Sequence, residues 1–462
     1  MQQDLVFDAE LIRRYDVQGP RYTSYPTAVQ FTEGFGPEDY QRWARHTNTL
    51  VDDRPLSLYF HLPFCAKVCF YCACNKIITA NRKRAAPYLE YLYREIEMQG
   101  ALFDRDRPVE QLHWGGGTPT FISHAQMRRL MEVTAENFRL LEADRGEYSI
   151  EVDPREADAE TVAVLRDIGF NRLSLGVQDF NPAVQEAVNR IQSEAETSAV
   201  IEAAREAGFK SISIDLIYGL PLQTTAGFVE TLNRVIALRP DRLSVFNYAH
   251  LPDMFKTQRQ INAAQLPAPD EKLRILEKSI EHLTTAGYIY IGMDHFALPD
   301  DELARAQREG SLYRNFQGYS THADCDLVAM GITAISKVGD SYSQNVKDID
   351  TYCARLEAGE WPLLRGVELN ADDRLRRDVI TRLICDFEVD CKALERAHSI
   401  DFDGYFAQEL RELEVLQKDG LLSLQPSFIK VLPAGRLLIR NICMVFDRYL
   451  QGKSGQRFSK VI

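Results

Sequence analysis

The sequence has no long hydrophobic run, no apolar leader and no excess of positive charge, and each absence removes a class of protein. Its longest apolar stretches, such as residues 211–218, are interrupted by polar groups and fall far short of the roughly 20 residues that a membrane-crossing helix needs. The opening MQQDLVFDAELIRR carries acidic residues where a secretory leader would have an apolar core followed by small residues. The expected location is therefore the cytoplasm, without membrane association. Lys and Arg number 54 against 67 Asp and Glu, a formal net charge of −13. That balance opposes the broad basic surface of a nucleic-acid binder, so no nucleic-acid partner is expected. A second Cys-x2-Cys pair is missing, as is a glycine-rich loop ending in Gly-Lys-Ser/Thr, which argues against a two-pair zinc module and a P-loop.

What is present describes an ordinary globular chain of more than one domain. At 462 residues it exceeds the size at which one core stops growing, and its 45% hydrophobic and 26% charged residues are typical of folded proteins. Its nine cysteines are an odd number, and four of them fall between residues 65 and 74. This is no disulfide framework; it points to metal chemistry in a reducing compartment.

Short β-rich runs at residues 56–61, 111–114, 148–152, 172–176, 211–217 and 242–247 alternate with amphipathic stretches at 88–98, 162–168, 198–207 and 228–238. In the first of these stretches Tyr88, Leu89, Leu92 and Ile96 follow helical spacing just after Pro87. The order predicts an α/β fold with parallel strands, either doubly wound or an open, partial (β/α)6 TIM-type barrel. Glu151, Gln178, Asp215 and Asn247 lie at or just past the carboxyl ends of successive predicted strands, where such folds gather their active groups, and this favours the barrel. Taken one at a time, each is equally a strand-end turn former.

Three regions are expected: an N-terminal arm over residues 1–55, a barrel with an extension over 56–365, and a mainly helical, winged-helix-like domain over 366–462. The arm contains GPRYTSYP, whose tyrosines and arginine either line a pocket or pack the arm down. In the last region helices are predicted at 372–385, 413–418 and 434–449, with a strand pair around 421–432. The acidic balance makes this region a cap rather than a DNA reader.

The strongest signal is His61-Leu-Pro-Phe-Cys65-Ala-Lys-Val-Cys69-Phe-Tyr-Cys72-Ala-Cys74, directly after the first predicted strand. One zinc could take all four thiols, although the gap between Cys72 and Cys74 is cramped. Three thiolates on a tight loop suit a cubane iron-sulfur cluster with one iron left open. The Cys-x3-Cys-x2-Cys spacing resembles the signature of the radical S-adenosylmethionine (SAM) superfamily, in which SAM chelates that open iron. Trp114-Gly-Gly-Gly-Thr-Pro119 is similar to the superfamily's glycine turn, where missing side chains would let the backbone approach SAM.

With PRYTSYP, LYFHLPFCAKVCFYCACNK, IEVDPRE, RLSLGVQDF, IDLIYGLP, SVFNYAHLP, GMDHFA and RNICMVFDRYL, the whole chain resembles the oxygen-independent coproporphyrinogen III oxidases. The resemblance implies a [4Fe-4S] cluster on Cys65, Cys69 and Cys72 and two SAM molecules. The first SAM would touch Tyr59, Tyr71, Gly116 and Glu151; the second, Gly117, Thr118, Gln178, Arg190, Asp215, Ala249 and Ile335. Read without the resemblance, Arg190 is an ordinary helix-end arginine.

The implied reaction turns two propionates of coproporphyrinogen III into vinyl groups, yielding protoporphyrinogen IX in haem biosynthesis. A 5'-deoxyadenosyl radical made from SAM takes the hydrogen, and the electron comes from a small reducing protein such as flavodoxin or ferredoxin. Arg21 is the candidate cation for the substrate's propionates, and Cys74 and Tyr59 complete the expected catalytic set. A monomer is expected. A haem-carrying chaperone of the same superfamily would lack both the arm and Cys74.

Overall fold

The computed structural model describes residues 5–50, 54–142, 144–323, 325–450 and 460. Parts of the expected arm, residues 1–4 and 51–53, and of the C-terminal region, residues 451–459 and 461–462, lie outside them. The chain divides into two compact units. The larger is drawn from Phe31–Ile275 and Asp324–Glu368, the smaller from Met1–Gln30, Leu276–Ala323 and Leu369–Ile462. The division thus falls between Gln30 and Phe31, between Ile275 and Leu276, between Ala323 and Asp324, and between Glu368 and Leu369.

In the larger unit all six predicted strands form: β1 (Leu56–Leu62), β2 (Pro108–Gly116), β3 (Glu147–Val152), β4 (Arg172–Gln178), β5 (Ser211–Tyr218) and β6 (Arg242–Asn247). They pair in parallel in the spatial order β6-β5-β4-β3-β2-β1. Their burial follows from the crossover helices, which leave few strand side chains in water. The helices are α1 (Ala85–Gly100), α2 (His124–Asn137), α3 (Ala159–Asp167), α4 (Glu194–Glu206) and α5 (Thr225–Leu238). Tyr88, Leu89, Leu92 and Ile96 of α1 are all buried, as their spacing predicts. Ser123 and Gln126 cap α2 reciprocally, and Ser193 and Glu196 do the same for α4. Arg239 closes α5 in a left-handed conformation just before Pro240.

The sheet continues beyond the six predicted strands. β7 (Asp326–Met330) adds a second parallel neighbour to β1, with Leu58 opposite Val328. The sheet then turns antiparallel through β8 (Ile335–Val338), β9 (Ser341–Asn345) and β10 (Leu363–Glu368). Gly339-Asp340 forms the β8–β9 hairpin, with Gly339 at φ +56°.

A buried carboxylate fastens this closing segment. Glu95 of α1 accepts hydrogen bonds from the Gly331 N–H (2.8 Å), the Tyr352 hydroxyl (2.6 Å) and the Asn345 amide (2.7 Å). Two turns earlier, the Tyr88 hydroxyl donates to the His61 carbonyl (2.7 Å) and accepts from the Ile332 N–H (3.2 Å). One helix therefore holds the end of β1 against the end of β7.

In the smaller unit Ala371–Asp386 packs on Ile439–Val445, beside an antiparallel sheet in the order Glu388–Asp390, Phe428–Val431, Leu422–Gln425. The helix predicted at 434–449 is reduced to Ile439–Val445. Pro433–Gly435 is a tight turn in which Gly435 sits so near the Leu421 carbonyl that a Cβ there would clash with it. Tyr22 and Tyr25 of the arm are buried, and the Tyr22 hydroxyl donates to Asp447 (3.0 Å) while Arg440 donates to the Pro20 carbonyl (2.8 Å). These tyrosines pack the arm down. Among the described residues no helix is long and apolar enough to cross a membrane.

Burial pushes the Glu95 carboxyl up to about 7, against the pull of its three donors. Folded chains thus bind this proton more readily than unfolded ones, so the associated stability is present at low pH and is lost as pH rises from about 4.5 toward about 7. The unfolding free energy of the wild type minus that of Glu95→Gln should fall by about 2 kcal/mol between roughly pH 5 and pH 8. Denaturant titrations at both pH values check this; a pH-independent difference rules it out.

Candidate active site

A single cavity in the larger unit collects the side chains that the strand ends and the cysteine loop present. Cys65, Cys69, Cys72 and Cys74 line it, with Tyr71, Gly116, Gly117, Thr118, Glu151, Gln178, Arg190 and Asp215. Asp153, Arg155, Lys76 and Ser174 also face it. None of the nine cysteines is in a disulfide.

The cysteine loop leaves β1 through Pro63 and Phe64, and donors from its surroundings shape it. Asn189 donates to the Val68 carbonyl (2.7 Å), Gln258 to that of Tyr71 (3.0 Å), and Lys76 and Thr257 to that of Cys72 (2.8 and 3.2 Å). The buried His61 ring ties down the loop's far end, with Nε2 3.0 Å from the Asn75 carbonyl and Nδ1 3.1 Å from the Tyr59 hydroxyl.

The glycine turn after β2 is fitted to this loop. The Gly117 N–H donates to the Leu62 carbonyl (2.9 Å) and the Thr118 N–H to that of Phe64 (2.8 Å). A Cβ on Gly117 would meet the Pro63 carbonyl carbon at 2.7 Å and Phe64 O at 2.8 Å; one on Gly116, at φ +114°, would meet the His61 ring at 2.7 Å. The missing side chains make room for the His61 ring and for the start of the cysteine loop.

Glu151, the penultimate residue of β3, accepts from the Gly116 N–H (3.1 Å) and faces His113 Nε2 (3.5 Å). Burial pushes its carboxyl up, but the hydrogen bond and charge of His113 with the Gly116 N–H outweigh this and hold it below its usual range. Asp215 lies within β5 instead of at its end, because Leu216, Ile217 and Tyr218 go on pairing with β6. It accepts from Ser174 (3.2 Å), and burial pushes its carboxyl up to about 6. Gln178 ends β4 after a break in register, at φ +69°, a conformation that L-residues seldom adopt and that aims its side chain into the cavity.

Cys69 is the most strongly flanked thiol. Arg190 Nη1 lies 3.5 Å and Arg155 Nη2 3.6 Å from its sulfur, and both nitrogens also donate to Asp153 Oδ2, at 3.0 and 2.7 Å. Thr118 donates to Cys65 Sγ at 3.5 Å. A hydrogen bond from the Cys74 thiol draws the Cys72 thiol down, and the same bond raises Cys74.

Other candidates are not among the residues that line this cavity. Tyr59 stacks on His113 (5.8 Å between rings), Ala249 offers its carbonyl to Gln258, and Ile335 lies in β8. Arg21 belongs to the smaller unit, where its Nη1 pairs with Asp294 at 2.9 Å. Asn247 ends β6, but its neighbour Phe246 lines the cavity. Asp153 and Arg155 follow the end of β3 just as Glu151 precedes it.

The donor set fits an iron-sulfur cluster and a polar cofactor. Three thiols at superfamily spacing share one cavity with no disulfide, and the buried Gln178 Oε1 and Arg190 Nε have no partner, which leaves polar groups for a ligand to satisfy.

Comparison with known proteins agrees. The radical SAM superfamily profile matches residues 59–235 and the HemN C-terminal domain profile residues 369–438. The oxygen-independent coproporphyrinogen III oxidase of Pseudomonas aeruginosa is 56% identical over 99% of both chains, and that of Escherichia coli K12 is 53% identical over 100% of this chain and 99% of its own. A solved structure of coproporphyrinogen III oxidase (HemN) from Escherichia coli, a radical SAM enzyme, superposes with a TM-score of 0.92 at 51% identity, covering 97% of this chain and all of the other. The fold is that of a radical SAM protein. Within that class, the chain belongs to the oxygen-independent coproporphyrinogen III oxidase family.

Gly117→Ala should force the β1 exit away from the glycine turn, costing about 1 to 3 kcal/mol as overpacking does. The expected result is a lower unfolding midpoint and less iron per chain after anaerobic reconstitution. Wild-type values for both would show that the turn tolerates a side chain.

Proposed function

We propose that this chain oxidatively decarboxylates two propionates of coproporphyrinogen III to vinyl groups, producing protoporphyrinogen IX without oxygen. The observation that carries this is the full-length identity to the Pseudomonas aeruginosa enzyme, together with the Cys65, Cys69 and Cys72 triad in the shared cavity. When bound, a [4Fe-4S] cluster and SAM supply the radical chemistry that removes hydrogen from an unactivated carbon, which no side chain can do as acid or base.

Cys65, Cys69 and Cys72 would hold the cluster. Gly116 and Glu151 stand ready for the first SAM, which Tyr59 and Tyr71 would also touch. Thr118, Gln178, Arg190 and Asp215 are proposed for the second, with Gly117, Ala249 and Ile335. Gln178 and Arg190 offer it their unpartnered buried atoms. These groups position the reacting carbon and keep water away from it. Arg21 is proposed to meet a propionate through guanidinium hydrogens beyond the one given to Asp294.

The parallel strands with their helices are read as a partial (β/α)6 barrel, and the three-stranded sheet with its helices as winged-helix-like. A small one-electron donor protein of flavodoxin or ferredoxin type is the proposed reductant, the cytoplasm the proposed location. One chain carries every residue invoked, in keeping with a monomer. Anaerobic incubation with SAM, a one-electron reductant and coproporphyrinogen III, followed by product analysis, tests the assignment. Cluster-loaded protein that forms no protoporphyrinogen would favour the haem-carrying alternative.

Cys74 is the thiol left over. It faces the cavity and hydrogen-bonds Cys72, so Cys74→Ser should keep iron and the cluster absorption while losing most turnover. Full activity would make it a plain cavity-wall thiol, and loss of iron would make it a ligand.

A further inference from the structure

Two charged side chains that face the cavity, Asp153 and Arg155, have no role assigned above, and both meet Arg190 or its partner Cys69. Asp153 and Arg155 lie just past β3, and Arg190 follows the helical turn Pro182–Ala187. Their side chains are each less than a tenth exposed. Arg155 directs Nε to Asp153 Oδ1 (3.0 Å) and Nη2 to both Asp153 Oδ2 (2.7 Å) and Cys69 Sγ (3.6 Å). Arg190 reaches the same Oδ2 (3.0 Å) and the same sulfur (3.5 Å), and its Nη2 binds the Gly176 carbonyl. Arg190 still has an unpartnered Nε for a ligand, whereas the Nε and Nη2 of Arg155 are committed to Asp153 and Cys69. Two guanidinium cations and one carboxylate thus leave a net single positive charge against one proposed cluster sulfur.

We propose that Arg155 tunes the cluster's reduction potential, its charge and its hydrogen bond to Cys69 favouring the reduced form, with Asp153 opposing and positioning it. This rests on the cluster reading given above. One-electron reduction takes an electron from an external donor and adds one negative charge to the cluster, with no covalent bond made or broken. Hydrogen bonds to cysteine sulfur and nearby net charge are two of the levers that set such potentials. Burial keeps water from screening them. A structural role alone gives Arg155 and Asp153 no reason to act in opposite directions; an electrostatic role requires it.

The test is an anaerobic redox titration of the reconstituted protein without SAM, with dithionite as reductant, the reduced cluster followed by electron paramagnetic resonance and iron measured per chain. Arg155→Gln should disfavour reduction by at least about tenfold, a lowering of ~59 mV for one electron. Asp153→Asn should shift the midpoint the other way, and Arg155→Lys, which keeps the charge, should stay nearer the wild type than Arg155→Gln. Unchanged midpoints, or shifts of one sign in both Arg155→Gln and Asp153→Asn, overturn the proposal. If Arg155→Gln takes up no iron, the direction of the Asp153→Asn shift decides. Wild-type protein that takes up no iron would instead overturn the cluster reading itself.

Discussion

The cysteine loop is shaped by hydrogen bonds that reach it from other parts of the larger unit, and the site depends on that constraint. Its carbonyls accept from Asn189, Gln258 and Thr257, and the His61 ring meets Asn75 at its end. Each donor satisfies a carbonyl that an irregular segment could not pair by itself. Three thiols on such a segment would otherwise spend conformational entropy on every ligand they offered. Here part of that cost is offset by the donors that hold the loop's carbonyls.

The same economy explains the glycine turn and Gln178. Gly116 and Gly117 lie so close to His61 and to the Pro63–Phe64 backbone that a side chain has nowhere to go. Gln178 occupies a left-handed conformation beside Gly176, where a Cβ would meet the Gln178 amide nitrogen at 2.8 Å. Backbone of this kind persists only where its surroundings fix it, and both instances border the cavity.

The features legible in the sequence were the local ones. The six strands announced themselves through β-rich runs between helical repeats, and the cysteines through spacing within a few residues of one another. Glu151 and Gln178 could be picked from strand-end position alone. Asp215 could be picked too, although the strand outlasts it because pairing with β6 cannot be read locally. β7 escaped because its partner, β1, lies far away in the chain. Asp153 and Arg155 escaped because an Asp-Pro-Arg sequence after a strand has the composition of a turn, and only the fold brings Arg190 and Cys69 to it. Arg21, an obvious cation by composition, is held by Asp294.

β1 has parallel neighbours on both sides, β2 and β7, and so has no free edge. A slip of one residue would turn Tyr59 and His61 to the opposite face and drag the cysteine loop with them, so both ladders must break before the loop can drift. Its anchor thus belongs to the part of the molecule that opens last. Amide hydrogens of Leu58 and Phe60 would be among the slowest to exchange, and a bound metal would leave through cooperative unfolding instead of fraying of its loop.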